Sequence, residues 1–208
     1  MTPNEAELFQ ALIAFKSEHV FNPWRERDAQ DVAKTAAAAR VERLKAHFIF
    51  QPQLLLLGEA PGYQGCHFSG IPFTNEKLLL SGAIPRVSVA QRISTRPRPW
   101  SEPSATIVWG TLYELGIAEQ TVLWNTFAWH PHKPQNPYSN RTPTEAELHK
   151  GLKVLKLVLA YLQPKRVVAV GKVAERTLQQ LQIKTDACVR HPAMGGATAF
   201  RQGLKACM

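Results

Sequence analysis

Four consecutive leucines, Leu54 to Leu57, stop abruptly at Gly58-Glu59-Ala60-Pro61-Gly62. A continuous aliphatic run closed by glycine and proline has the pattern of a buried strand entering a turn. Three later stretches repeat that form: Thr121 to Asn125, Arg166 to Gly171, and the shorter Ala187 to Arg190. Helical signals separate them. Pro103 to Leu115 reads as a short helix, and Thr144-Glu145-Ala146-Glu147 offers a cap with acidic residues in the first turn. Leu148, Leu152, Leu155, Leu159 and Leu162 then supply an apolar helix face. Lys172 to Leu181 and Ala197 to Ala206 read as further helices. Apolar strands alternating with helices predict an α/β fold, a parallel sheet covered on both faces.

Such sheets bind ligands outside the carboxyl ends of their strands. Glu59, Asn125 and His191 each follow one of the strands, so all three are expected to meet along one sheet edge. Taken alone, Glu59 in such a turn reads better as a helix cap or a solvent-facing side chain, and it is the rest of the chain that raises the functional reading.

Ahead of the first strand, Leu8, Leu12 and Phe15 mark a helix from Glu5 to about Ser17, with Asn4 as its cap. Val20 to Trp24 reads as a loop with apolar anchors. An alanine-rich stretch predicts a second helix from Ala29 to Phe48, so residues 1–50 form a helical N-terminal extension and accessory layer within one domain spanning 1–208. Gly65 to Asn75 is a glycine- and proline-rich loop holding His67, Phe68 and Phe73, and a helix opens over Asn75 to Leu80. Arg86, Arg92, Arg96 and Arg98 lie in an aperiodic stretch up to Pro103 that reads as an exposed basic loop, either a DNA contact or plain solvated surface.

The formal charge of +9 favours a polyanionic partner, with nucleic acid the foremost. No apolar run reaches membrane-spanning length, and three cysteines without paired spacing suit a reduced, cytoplasmic setting. The turn after the leucines lacks the Lys-Ser/Thr of a phosphate loop and the glycine spacing of a dinucleotide fingerprint, so no cofactor is expected.

Taken in order, Gly58-Glu59-Ala60-Pro61-Gly62, Gly70-Ile71-Pro72-Phe73, Asn125, Asn140-Arg141-Thr142-Pro143-Thr144, Ala169-Val170-Gly171-Lys172 and His191-Pro192 resemble the motifs of the uracil-DNA glycosylase superfamily. The similarity is greatest to its small bacterial and archaeal branch. It implies a three-layer α/β/α sandwich with a central four-stranded parallel sheet, no soluble cofactor, and hydrolysis of the glycosidic bond of a damaged base extruded from DNA.

Roles follow from the resemblance position by position. Phe73 matches the ring that stacks on the extruded uracil, against the alternative of a loop-anchoring core residue. Asn125 matches the amide that reads O4 and N3–H, against an Asn fixing its own loop. His191 matches the donor near O2, against a structural His bonded to a carbonyl. Glu59 is the group that positions or activates water. Backbone around Gly58, Ala60 and Gly62 contacts the substrate or serves turn geometry alone. Arg96, Arg98 and Lys172 face phosphates, and Met194 is either a wedge entering the minor groove or a core residue. The partner is DNA containing uracil or a related base, met by a monomer.

Three departures from the pattern stand out, the first being that Ala193-Met194-Gly195-Gly196-Ala197 follows His191-Pro192 where relatives commonly continue His-Pro-Ser with a bulky loop. The best-known members carry an Asp where this chain has Ala60. Relatives with an iron–sulfur cluster use four cysteines, whereas this chain has Cys66, Cys188 and Cys207, with Trp129-His130 in the central ligand region. Packing by the N-terminal helices and aromatic residues is expected to replace the cluster.

Overall fold

The computed structural model describes residues 5–208, so the cap expected at Asn4 lies outside the described residues. In chain order the elements are α1 (Glu5–Ala14), β1 (Val20–Phe21), α2 (Ala36–Phe48), β2 (Leu54–Gly58), α3 (Cys66–Ser69), α4 (Glu76–Leu80) and α5 (Pro103–Glu114). A 3-10 turn at Ala118–Gln120 leads into β3 (Thr121–Asn125), followed by β4 (His130–Pro131) and α6 (Glu145–Leu162). The chain closes with β5 (Arg166–Val170), α7 (Lys172–Gln180), β6 (Ala187–Val189) and α8 (Ala197–Ala206).

Four strands form one parallel sheet in the order β3-β2-β5-β6. The chain leaves β2 toward β3 on one side and later returns to β5 on the other. Such a reversal opens a crevice at the carboxyl ends of the strands. Register sets Gly58 directly beside Asn125 at that end.

Strand periodicity divides the core in two. Leu55, Leu57, Val122, Trp124, Val167 and Ala169 point to the face covered by α1, α2, α6 and α7. Leu54, Leu56, Leu123, Val168, Val170 and Val189 point to the opposite face, under α5 and α8. This is the three-layer α/β/α sandwich with a four-stranded parallel sheet. Leu55, Leu56 and Leu57 are fully buried, and each such side chain contributes about 1.5–3 kcal/mol of transfer free energy.

α6 starts where the sequence placed it. Thr144 accepts from the Glu147 N–H while Glu147 accepts from the Thr144 N–H, a reciprocal capping box. Thr144→Ala is expected to cost about 1 kcal/mol, read as a lower urea midpoint with an unchanged slope. An unchanged midpoint would refute the cap's contribution. The buried stripe of α6 runs through Leu148, Val154, Leu155, Val158 and Leu162, while Leu152 and Leu159 are half-exposed, so the helix is rotated from the leucine stripe.

The N-terminal region differs from expectation in three ways. α2 begins at Ala36 rather than Ala29, because Asp28 and Asp31 hold the preceding stretch in a turn: the Asp28 N–H donates to Asp31 and the Gln30 N–H to Asp28. Val20 and Phe21 form a two-residue strand paired antiparallel with His130 and Pro131, not a loop. And α1 and α2 are more than an outer layer, since Leu8, Leu12, Leu44 and Phe48 share a core with the leucines of β2. Trp129 belongs to this arrangement: it stacks on Phe15 at 3.6 Å and donates its indole N–H to the Leu12 carbonyl. At the flank of the sheet, the buried His47 of α2 accepts the N–H of Leu123 at 3.1 Å. Burial with the nearby Arg86 charge drops the His47 pKa to about 3, so the ring stays neutral and able to accept.

Among the described residues no helix is long and apolar enough to cross a membrane.

Candidate active site

The end of β2 is built around an absence of side chain. A Cβ on Gly58 would lie 2.3 Å from Phe73 Cζ and 2.6 Å from Asn125 Oδ1. Only glycine lets the phenyl ring and the amide close over the strand end together. Phe73 itself sits at φ +49°, a left-handed conformation unfavourable for a bulky residue and of a kind found at ligand sites. Its ring packs into the sheet core on one side and lies 6.1 Å from the His191 ring, centroid to centroid.

Asn125 is 2 % exposed, and no hydrogen bond ties its side-chain amide to any described residue. It does not fix its own loop. That task falls to the Thr126 and Phe127 N–H groups, which donate to the Gly58 and Glu59 carbonyls, and to the Thr126 hydroxyl, which also donates to Glu59. A buried amide left free in this way retains a donor and an acceptor for something else.

His191 follows β6. Its Nδ1 accepts the Ala193 N–H at 3.1 Å, so the ring proton resides on Nε2. Burial, aided by the Arg190 charge, lowers the His191 pKa, leaving a neutral donor at neutral pH. Gly171, at φ +92°, brings the end of β5 close to His191, where a Cβ would sit 3.4 Å from the His191 Cβ.

Glu59, Ala60, Gly62, His191 and Met194 line one cavity of about 640 Å³. The Glu59 carboxylate is half-buried and makes no hydrogen bond or ion pair with any described residue. Met194 is 93 % exposed at φ +52°, so the core alternative for this residue falls away.

The expected basic contacts are uneven. Arg98 is exposed and unpaired among the described residues, and Arg96 lies over the Trp100 ring at 4.1 Å. Lys172 is exposed but pairs with Glu175 at 3.0 Å, which offsets its charge. Arg86 is committed to structure, reaching the carbonyl and carboxylate of Glu119 and stacking on Phe50 at 3.9 Å.

His67 turns away from the cavity. It is fully buried, with Nε2 2.9 Å from Asp28 Oδ2 and Nδ1 2.9 Å from His130 Nδ1. Asn140, Arg141 and Glu102 also line the cavity. Asn140 accepts the Tyr63 N–H, and Arg141 is clamped by Glu147 at 2.7 Å. Glu102 gave no signal in the sequence beyond an acid preceding a helix-starting proline.

A four-thiolate cluster does not fit this chain. Its three cysteines stand on α3, on β6 and beyond α8, and the Cys207 thiol donates to the Leu204 carbonyl at 3.3 Å. Among the described residues no group of three or more His, Cys, Asp or Glu is placed to hold a metal ion.

Comparison with solved structures finds wild-type SMUG2 of Pedobacter heparinus similar in fold, with a TM-score of 0.63 and 18 % identity over 96 % of this chain and 93 % of that one. No curated protein sequence matches the chain. The sequence pattern of the uracil DNA glycosylase superfamily matches residues 47–203, from the end of α2 to α8, and so takes in every strand of the parallel sheet and the whole cavity: the chain belongs to that superfamily.

Proposed function

We propose that this protein is a DNA glycosylase that hydrolyses the N-glycosidic bond of uracil, or a closely related damaged base, as the first step of base-excision repair. The observation that carries the reading is the buried, unpartnered amide of Asn125, set against the Phe73 ring over Gly58. A planar base extruded from DNA would stack on Phe73 and take the amide through O4 and N3–H. O2 would then turn toward the Nε2–H of His191, and C1′ toward Glu59.

The chemistry follows from these positions. The C1′–N1 bond breaks with its electron pair remaining on the base, where negative charge gathers at O2. A neutral imidazole donor held in place by the Ala193 N–H stabilises that charge without reorganising. Water adds its oxygen to C1′ and releases a proton to Glu59, whose carboxylate is free of other partners. Met194 on its exposed turn and the free charge of Arg98 suit contact with the duplex on either side.

The direct test incubates the protein with matched oligonucleotides carrying uracil or thymine, followed by alkali cleavage of abasic sites. Strand scission confined to the uracil strand supports the reading. Binding without scission would instead favour a non-catalytic nucleic-acid-binding protein of the same fold. Asn125→Ala is expected to lower kcat/KM for uracil about 10- to 100-fold, the usual worth of a bidentate base contact, and to narrow the margin over other bases. Undiminished rate and selectivity in this variant would remove Asn125 from the mechanism.

A further inference from the structure

α3 carries into the interior a chain of hydrogen bonds that the proposed chemistry does not use. His67 is fully buried, with Phe21 stacked on its ring at 3.8 Å and Phe68 4.5 Å away. Its Nε2 lies 2.9 Å from Asp28 Oδ2 and its Nδ1 2.9 Å from Nδ1 of His130, whose Nε2 lies 2.9 Å from the Ser139 carbonyl oxygen. Each of these contacts needs a proton, and the end groups fix where each proton sits. A carbonyl oxygen accepts, so His130 donates from Nε2. Burial, with the neighbouring His67, holds the His130 pKa down to about 3, so that ring keeps a single proton and its Nδ1 accepts. His67 must then donate from Nδ1. The other Asp28 oxygen already accepts the Gln30 N–H at 2.7 Å and the Tyr138 hydroxyl at 2.8 Å, the surroundings of a carboxylate. With Asp28 ionised, the remaining contact closes when His67 donates from Nε2 as well.

A count of charge agrees with the count of protons. Asp28, Asp31 and Arg40 are buried in one cluster with His67: Asp31 holds the Arg40 guanidinium at 2.6 Å and accepts the Asp28 N–H at 2.8 Å. Two carboxylates and one guanidinium leave a negative charge in the interior, and a protonated His67 cancels it. Arg43 and Glu76, the next charged groups outward, are one of each sign. Burial keeps Cys66 a thiol, burial and Asp28 keep Tyr138 a phenol, and His132 faces the far ring, His130, at 5.8 Å. Burial lowers the His67 pKa, while the bond to Asp28 and its charge raise it. A neutral ring would leave two lone pairs facing each other at 2.9 Å and a buried charge uncancelled, so the two counts decide for the second proton.

The pair matters to the cavity through the segment fastened to it. Tyr138 bonds to Asp28, and the Ser139 carbonyl to His130. Asn140, next in the chain, lines the cavity and accepts the Tyr63 N–H at 2.9 Å, just after the turn that carries Glu59. We infer that His67 is a buried imidazolium paired with the Asp28 carboxylate, and that this ion pair anchors the segment holding Asn140 in the cavity wall. His67 and Asp28 are positioning residues that act through His130 and Tyr138. The inference stands whether or not the cavity releases uracil.

Nitrogen NMR of the protein labelled at its histidine rings, at pH 7, reads the protons directly. His67 is expected to carry a proton on each nitrogen, and His130 one, on Nε2. A singly protonated His67 overturns the inference, and this readout needs no variant. Asp28→Asn gives the converse: its amide can donate to His67 Nε2 and accept from Tyr138, so every bond closes with the ring neutral and the cluster still balanced. His67 should then keep its Nδ1 proton and lose the one on Nε2; a ring that stays doubly protonated overturns the pairing. The hold on the wall is read at the Tyr63 amide. Tyr138→Phe removes the hydroxyl bond to Asp28, so hydrogen exchange at Tyr63 is expected to quicken about tenfold or more, the usual worth of a hydrogen bond to a charged group. Asp28→Asn keeps that bond and should change the exchange by less than about threefold. Unchanged exchange in Tyr138→Phe, or equally fast exchange in Asp28→Asn, overturns the anchoring role.

Discussion

Gly58→Ala is expected to reduce uracil release about 100-fold or more while leaving the protein folded. The added methyl would stand 2.3 Å from Phe73 Cζ and 2.6 Å from Asn125 Oδ1, so both groups must move. Displacing substrate-positioning groups by about an ångström is enough to cost two orders of magnitude in rate. Overpacking a strand end costs about 1–3 kcal/mol of stability at the same time, well short of what unfolds an ordinary domain. Gly110→Ala is the matched control. Gly110 lies inside α5 with nothing within 4 Å of its absent Cβ, so alanine there should be neutral or stabilising by up to about 1 kcal/mol. Single-turnover excision together with melting temperature separates the two effects. Wild-type excision by a folded Gly58→Ala protein would show that the ring and amide are not held as described.

The largest stability effect is expected away from the cavity, at Asp31. Its carboxylate receives two hydrogen bonds from the Arg40 guanidinium, at 2.6 and 2.7 Å, and both side chains are fully buried. The rest of the guanidinium has only the Pro23 and Glu26 carbonyls, at 3.4 and 3.5 Å. Asp31→Ala removes the counter-charge but leaves the cation in place, a change that costs about 3–5 kcal/mol. Urea unfolding measures it, and a loss below about 1 kcal/mol would mean that water reaches Arg40. Because Asp31 also receives the Asp28 N–H, the same substitution should free the turn that delays the start of α2.

The contrast between those two sites shows what the chain discloses in one dimension. The strand ends were legible because each aliphatic run is cut off by a glycine or a polar residue, and a parallel sheet brings its carboxyl ends to one edge. Asn125 and Glu59 follow from that rule with no knowledge of side-chain packing. The start of α6 was legible for a similar reason, since Thr144 and Glu147 satisfy each other locally. The late start of α2 was not, because alanine propensity favours helix from Ala29 onward and the opposing bonds of Asp28 and Asp31 depend on groups brought together by tertiary structure. Glu102 was hidden for the same cause. Its character comes from Gly62 and Gly65, some forty residues earlier, which leave the space its carboxyl fills. His67, an inviting loop histidine in the sequence, is claimed by Asp28 and His130.

The histidine at the flank of the sheet has a further consequence. An outermost strand displays a row of main-chain donors on which another polypeptide can extend the sheet, the usual route to swapped or fibrous assemblies. On β3 the central outward donor, Leu123, is already taken by the neutral ring of His47, which is fully buried and lies edge-on to Trp109 of α5 with ring centroids 6.1 Å apart. At the other margin β6 has only three residues and runs almost at once into Pro192, which has no N–H to offer. Both margins of the sheet are thus poor templates for another chain to extend.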